Sequence, residues 1–182
     1  MVIGGLFDWY NKLLKRCAFM RQLFLLKEDY TNETKREIIT RDGEKIYTVE
    51  CFDDSGLNCY VVSNTQFEEI VRVEKHIGSN LPCLDVIVKD EVIFTIEQSP
   101  SPLMMSFQIT GKDLEVHDDW WSMDFDIMSG YRKVSKVRNR WTALGDAYEI
   151  TVFEKACEPE TIGLMLALDS IKLAEAEKKL TK

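Results

Sequence analysis

A chain of 182 residues, 45% hydrophobic and 30% charged, has enough apolar surface to form one folded core, which excludes disorder as its global state. Its net charge of −8 excludes nucleic acid as a natural partner, because a polyanion is repelled unless cations cluster locally. The five cysteines (Cys17, Cys51, Cys59, Cys83 and Cys157) are odd in number and have no C-x-x-C spacing. They point to free thiols in a reducing cytoplasm rather than to a disulfide framework or a zinc site.

Residues 1–19 carry an amphipathic pattern. Ile3, Leu6, Phe7, Tyr10, Leu13 and Leu14 recur at helical spacing, with Asp8, Asn11, Lys12, Lys15 and Arg16 opposite. The charged positions interrupt any signal-peptide core. No run in the chain approaches the roughly 20 apolar residues of a spanning helix. Met20 to Leu26 then reads as an apolar strand, opening a single domain over residues 20–182.

Strands and turns follow. Ile38 to Val49 is a hairpin around Asp42-Gly43, a dipeptide whose two positions tolerate positive φ. Val86 to Ile96 and Phe125 to Val137 repeat the layout of strand, polar turn, strand. Trp121, Met123, Phe125 and Ile127 fall on one strand face, with Trp120, Ser122, Asp124 and Asp126 on the other. Tyr148, Ile150 and Val152 alternate with Glu149 and Thr151. Many short strands with frequent turns predict a sandwich or barrel rather than βαβ units.

The last element is of another kind. Pro159 suits a first helical turn, and Glu158 and Glu160 suit the positive end of the helix dipole. From Ile162 to Leu173 apolar residues point all round the axis, so the helix over residues 159–174 must be enclosed. The tail from Glu175 is polar and is expected in water.

The segments Asp119-Trp120-Trp121-Ser122-Met123-Asp124-Phe125-Asp126-Ile127, Lys133-Val134-Ser135-Lys136-Val137 and Trp141 to Ile150, followed by the helix, resemble the LURP-one-related family. This is the YxjI-like branch of the tubby C-terminal-like superfamily. Met20 to Leu25 is similar to that family's first strand, and the resemblance spans about residues 20–174. It implies a mainly β (α+β) fold: a closed antiparallel barrel of roughly twelve strands around a central hydrophobic C-terminal helix. It implies little about activity. Tubby proteins bind phosphoinositides, but none of their lipid-binding residues matches a position here.

No nucleophile elbow, phosphate loop or dinucleotide fingerprint is present, so no catalytic residue, cofactor or metal ligand is assigned. His117-Asp118-Asp119 with Glu115 superficially suggests a metal set, yet adjacent strand residues face opposite ways. Three features remain. The face of Ile3, Leu6, Phe7, Tyr10, Leu13 and Leu14 suits docking on the barrel itself, a membrane interface or a protein partner, with Lys12, Lys15 and Arg16 toward anionic lipid. Lys136, Arg138 and Arg140 form a cationic stripe on one strand that could take phosphate, or simply a solvated face. Asp169 falls beside Ile162, Met165, Leu166 and Leu173, and is expected as a buried structural carboxylate. Together these predict a non-enzymatic binding protein, peripheral at the inner face of a membrane. The alternatives are a scaffold module that oligomerises through its N-terminal helix, and a small-ligand carrier or enzyme.

Overall fold

The computed structural model describes residues 19–27, 35–54, 57–79, 81–99, 106–143 and 145–180. The amphipathic helix expected over residues 1–19 lies, Phe19 apart, outside them. Twelve strands follow in order: β1 (Arg21–Leu26), β2 (Lys35–Thr40), β3 (Lys45–Asp54), β4 (Leu57–Asn64), β5 (Glu69–Lys75) and β6 (Cys83–Val88). The second half comprises β7 (Glu91–Gln98), β8 (Phe107–Gly111), β9 (Glu115–Asp119), β10 (Asp124–Ser129), β11 (Arg132–Thr142) and β12 (Gly145–Val152). A 3-10 turn (Lys155–Cys157) leads into helix α1 (Glu158–Leu180).

All twelve strands form one antiparallel sheet in the order β8-β7-β6-β5-β4-β3-β2-β1-β12-β11-β10-β9. The first ladder ties β1 to β12, pairing Leu23 with Ile150 and Leu25 with Tyr148, so the sheet curls back on itself. The two ends of the order, β8 and β9, meet at their turn but form no ladder, leaving the barrel nearly closed. Gly111 permits that turn, because a Cβ there would stand 2.2 Å from the Leu114 carbonyl oxygen. The rings of Phe107 and Trp120, edge to face at 6.1 Å, bridge the seam where hydrogen bonds do not. On the β9 side the edge is exposed and charged at Glu115, His117, Asp118 and Asp119, which discourages pairing with another chain.

The alternation of the strands explains the interior. Leu23, Ile38, Val62, Phe94, Phe125 and Ile150 are wholly buried. Helix α1 fills the space they surround. Every residue from Thr161 to Ile171 is buried, and the helix packs on β4–β7 on one arc and on β11 and β12 on the opposite arc. Each fully buried Leu or Ile of that stretch contributes roughly 1.5–3 kcal/mol. Gly163 sets the approach: a Cβ there would come within 2.5 Å of Val71 Cγ2 and Val86 Cγ1.

Two local expectations change. Residues Trp120 to Met123 form a turn, with Met123 at φ +58°, so the strand begins only at Asp124. Helix α1 also runs on to Leu180 rather than ending near Ala174, because Glu, Ala and Lys are good helix formers and Glu175 pairs with Lys178 three residues on. Glu175 is itself buried, not solvated.

Candidate functional site

Because neighbouring strands run antiparallel, the turns β2–β3, β4–β5, β6–β7, β8–β9 and β10–β11 gather at one mouth of the barrel. The start of β1 and the start of α1 lie at the same mouth, here called proximal. The helix leaves through the distal mouth.

Near the distal mouth the helix carries Asp169, only 4% exposed. The Tyr148 hydroxyl donates to its Oδ1 at 2.6 Å, and Arg36 Nη1 lies 3.8 Å from its Oδ2. Lys27 covers the Tyr148 ring at 4.3 Å while donating to Asn139 and Asp146. Lys172, one turn on, is half-buried, and that burial lowers its pKa. These groups join β1, β2, β11 and β12 to the helix and answer one another's charge.

At the proximal mouth a second carboxylate is held through one oxygen, its Oε2 being buried without a hydrogen-bond partner among the described residues. Glu158, 2% exposed, accepts at Oε1 from Arg21 Nη1 at 2.8 Å and from the Tyr47 hydroxyl. Burial, and then the bond to Glu158, raise the Tyr47 pKa above the usual phenol range.

Beside this pair, between the start of the helix and the β6–β7 turn, opens a cleft of about 700 Å³. Val88, Ile93, Ala156 and Pro159 form its apolar walls. Its polar groups are Lys89, Lys155, Glu91 and Glu160. Glu91 is taken by Lys112 at 2.8 Å. Lys89 and Lys155 have no ion pair among the described residues. Glu160 has an Oε2 atom buried without a hydrogen-bond partner. Burial pushes its carboxyl up from the ordinary value, against the pull of its own backbone N–H and of Lys89. Lys89 and Asp90 both stand at positive φ, +53° and +62°. This two-residue turn matches the twist of its strands, but at a backbone cost that a lysine would ordinarily avoid.

Around the cleft the proximal rim carries exposed apolar side chains at its tips, as the distal rim does at Phe52, Ile77, Trp121 and Trp141. Phe67 in the β4–β5 turn is 90% exposed, Tyr131 in the β10–β11 turn is fully exposed, and Met20 before β1 is 67% exposed. Arg41 in the β2–β3 turn joins Lys89 and Lys155 as a rim cation with no ion pair among the described residues.

Of the residues singled out in the sequence, Ile3, Leu6, Phe7, Tyr10, Lys12, Leu13, Leu14, Lys15 and Arg16 lie outside the described residues. Lys136, Arg138 and Arg140 share the outer face of β11, opposite Thr151, Glu149 and Ala147. Arg138 is fully engaged there. It reaches Asp124 at 2.9 Å, Asp126 at 2.8 Å and two backbone carbonyls, and Lys133 pairs with the same Asp126. Arg140 stands 3.9 Å from Glu149, while Lys136 has no ion pair among the described residues. Most of the cationic stripe is therefore matched by carboxylates.

One cluster had no sequence signal. His76 Nδ1 lies 2.6 Å from Asp85 Oδ2, and Thr95 donates to Asp85 Oδ1 at 2.7 Å. Register brings Cys83 opposite Glu97 and beside this group. Burial, then Asp85 and Glu97, push the Cys83 thiol up to about 11. It stays protonated at neutral pH and is a poor nucleophile.

Comparison with known proteins agrees with the architecture. A family model described as LURP-one-related matches residues 22–169. The uncharacterized protein YxjI of Bacillus subtilis (strain 168) is 20% identical over 133 residues, spanning 73% of this chain and 82% of its own. A solved structure from Arabidopsis thaliana superposes with a TM-score of 0.57 at 14% identity, covering 86% of this chain and 94% of that one.

Proposed function

The chain belongs to the LURP-one-related family, and on that premise we propose that it is a binding protein rather than an enzyme, one that meets an anionic membrane surface with its proximal mouth. The observation that carries the reading is the company kept at that mouth. Exposed Met20, Phe67 and Tyr131 share that rim with Arg41, Lys89 and Lys155, cations with no ion pair among the described residues. Apolar tips flanked by cations are what an interface of acyl chains and phosphates rewards. The described chain begins at Phe19, at the same mouth, and the sequence before it carries Trp9, Tyr10, Lys12, Lys15 and Arg16. The filled interior supports a non-catalytic role, since α1 occupies the space in which a barrel would otherwise hold a substrate. No helix among the described residues is long and apolar enough to cross a membrane, so contact through the surface fits.

Co-sedimentation with vesicles of phosphatidylglycerol and phosphatidylcholine tests this. The full chain should pellet with them. Starting the chain at Met20, or substituting Phe67→Asp with Tyr131→Asp, should each weaken binding by roughly tenfold or more, as expected when one or two apolar side chains no longer insert. Both substituted positions are exposed, so the fold should be retained. Absence of binding by the full chain sinks the reading. Binding that neither change weakens sinks the proximal mouth as its site.

A further inference from the structure

The cleft lies across the proximal mouth from the point where the described chain begins. In the sheet order β1 stands five places from β6 and six from β7, so Phe19 and the β6–β7 turn face each other over the start of α1. A ring of twelve strands about 4.8 Å apart and tilted about 40° is roughly 24 Å across. The 18 residues before Phe19 measure about 27 Å in helical geometry. Their length therefore matches the diameter of the mouth, and the far positions Ile3, Leu6 and Phe7 come level with the cleft. Phe67 and Tyr131 stand exposed on either side of that line. Charge agrees with length. Residues 1–18 hold Lys12, Lys15 and Arg16 against Asp8 alone. The other 20 cations and 30 carboxylates leave the rest of the chain at −10, a field that attracts a net-positive segment.

From this match of length, apolar spacing and charge, and resting on the membrane reading above, we propose that the cleft is the seat of the chain's own N-terminal segment. Residues 1–18 cross the mouth, and Ile3, Leu6 and Phe7 rest against Val88, Ile93, Ala156 and Pro159. The apolar face that the cleft receives is the one that the membrane would receive, so it cannot meet both at once. In solution the segment covers the mouth. At an anionic surface it exchanges the cleft for the acyl chains, and Lys12, Lys15 and Arg16 meet phosphates. Membrane affinity is thereby lowered by whatever the docking is worth, as for any state that must first be released.

A double-mutant cycle tests this. Ile93→Thr takes apolar wall from the cleft without adding charge. Its effect on thermal unfolding is measured in the full chain and in a chain started at Met20. Tm should fall by about 2–4 °C more in the full chain, because only there is a contact with the segment lost. Ala156→Gln, at an exposed position of the same cleft, repeats the cycle with less risk to the barrel. Trp141→Gln, on the distal rim, is the control and should shift Tm equally in both backgrounds. In titrations with phosphatidylglycerol vesicles, Ile93→Thr in the full chain should bind about fivefold more tightly than the wild type, and in the Met20 chain should bring no gain. Equal Tm shifts at both cleft positions overturn the docking, while vesicle binding by the full chain leaves the membrane reading standing. A difference between backgrounds at Trp141 instead overturns the cleft as the seat. A difference at the cleft with unchanged vesicle affinity overturns the competition. A difference at the cleft with no vesicle binding by either chain supports the docking and overturns the membrane reading.

Discussion

Asp169 near the distal mouth and Glu160 at the proximal mouth are two carboxylates of one helix that the barrel treats in opposite ways. At the distal mouth Asp169 is buried and answered by the Tyr148 hydroxyl at 2.6 Å and the Arg36 guanidinium at 3.8 Å. At the proximal mouth Glu160 borders a cleft and has a buried oxygen without a hydrogen-bond partner among the described residues. Both lie on one helix in one barrel, so the difference does not come from helix propensity or hydropathy. It comes from what the strands present. A carboxylate whose demands the protein meets contributes to the fold. One whose demands it leaves open is a cost that the fold carries.

The contrast breaks first, if it breaks, at Asp169. Asp169→Leu removes the acceptor of a buried hydroxyl and the counter-charge of Arg36. It should cost about 2–4 kcal/mol, a fall in Tm of roughly 5–15 °C. Asp118→Asn, at an exposed position, is the control and should stay within about 0.5 kcal/mol. Equal midpoints for the two variants would remove the distal anchor from the account.

The outer wall offers an intermediate case. Burial alone would raise the Asp126 carboxyl, but Lys133 and Arg138 hold it below its ordinary 3.8. Its contribution to stability is therefore complete above that ordinary value and lost as pH falls through the depressed one. Asp126→Asn should cost about 1–2 kcal/mol at pH 7 and flatten the acid limb of the stability curve. Thermal melts from pH 2 to pH 7 decide it, and an acid limb identical to that of the wild type would contradict the pairing.

Glu160 should show the smallest effect and the opposite sign. Its raised pKa means that the folded state holds the proton more tightly. That contribution is present below the ordinary 4.5 and is lost as pH rises through the raised value. Glu160→Gln should be no less stable than the wild type at pH 7, with the difference growing from pH 4 upward. A clear loss of stability at neutral pH would show that Glu160 is a structural group like Asp169, and would erase the contrast between the mouths.

Much of the architecture could be read from short stretches. The alternation of Tyr148, Ile150 and Val152, the Asp42-Gly43 turn at φ +81° for Gly43, and the all-round apolarity from Ile162 onward each rest on neighbours within a few residues. Where a stretch failed, a local conformation had overridden a periodic pattern. Trp120 to Met123 alternate like a strand, yet they turn, with Met123 left-handed and Ser122 bonded to Asp119. The cleft gave no such signal, because its lysine at 89 and its carboxyl at 160 belong to a strand turn and a helix start that meet only across the mouth.

By itself, then, the sequence determined that there would be a sandwich or barrel of short strands and a helix to be enclosed, the family resemblance pointing to the barrel. Periodicities of two and 3.6 residues sort apolar from polar faces wherever the chain goes. Only the tertiary structure decided that Arg138 is tied down by Asp124 and Asp126, that His76 finds Asp85, that β8 and β9 form no ladder with each other, and that Glu160 borders a cleft. Those outcomes depend on strand order and register. These are set by the packing of distant segments and leave no periodic trace in any one of them.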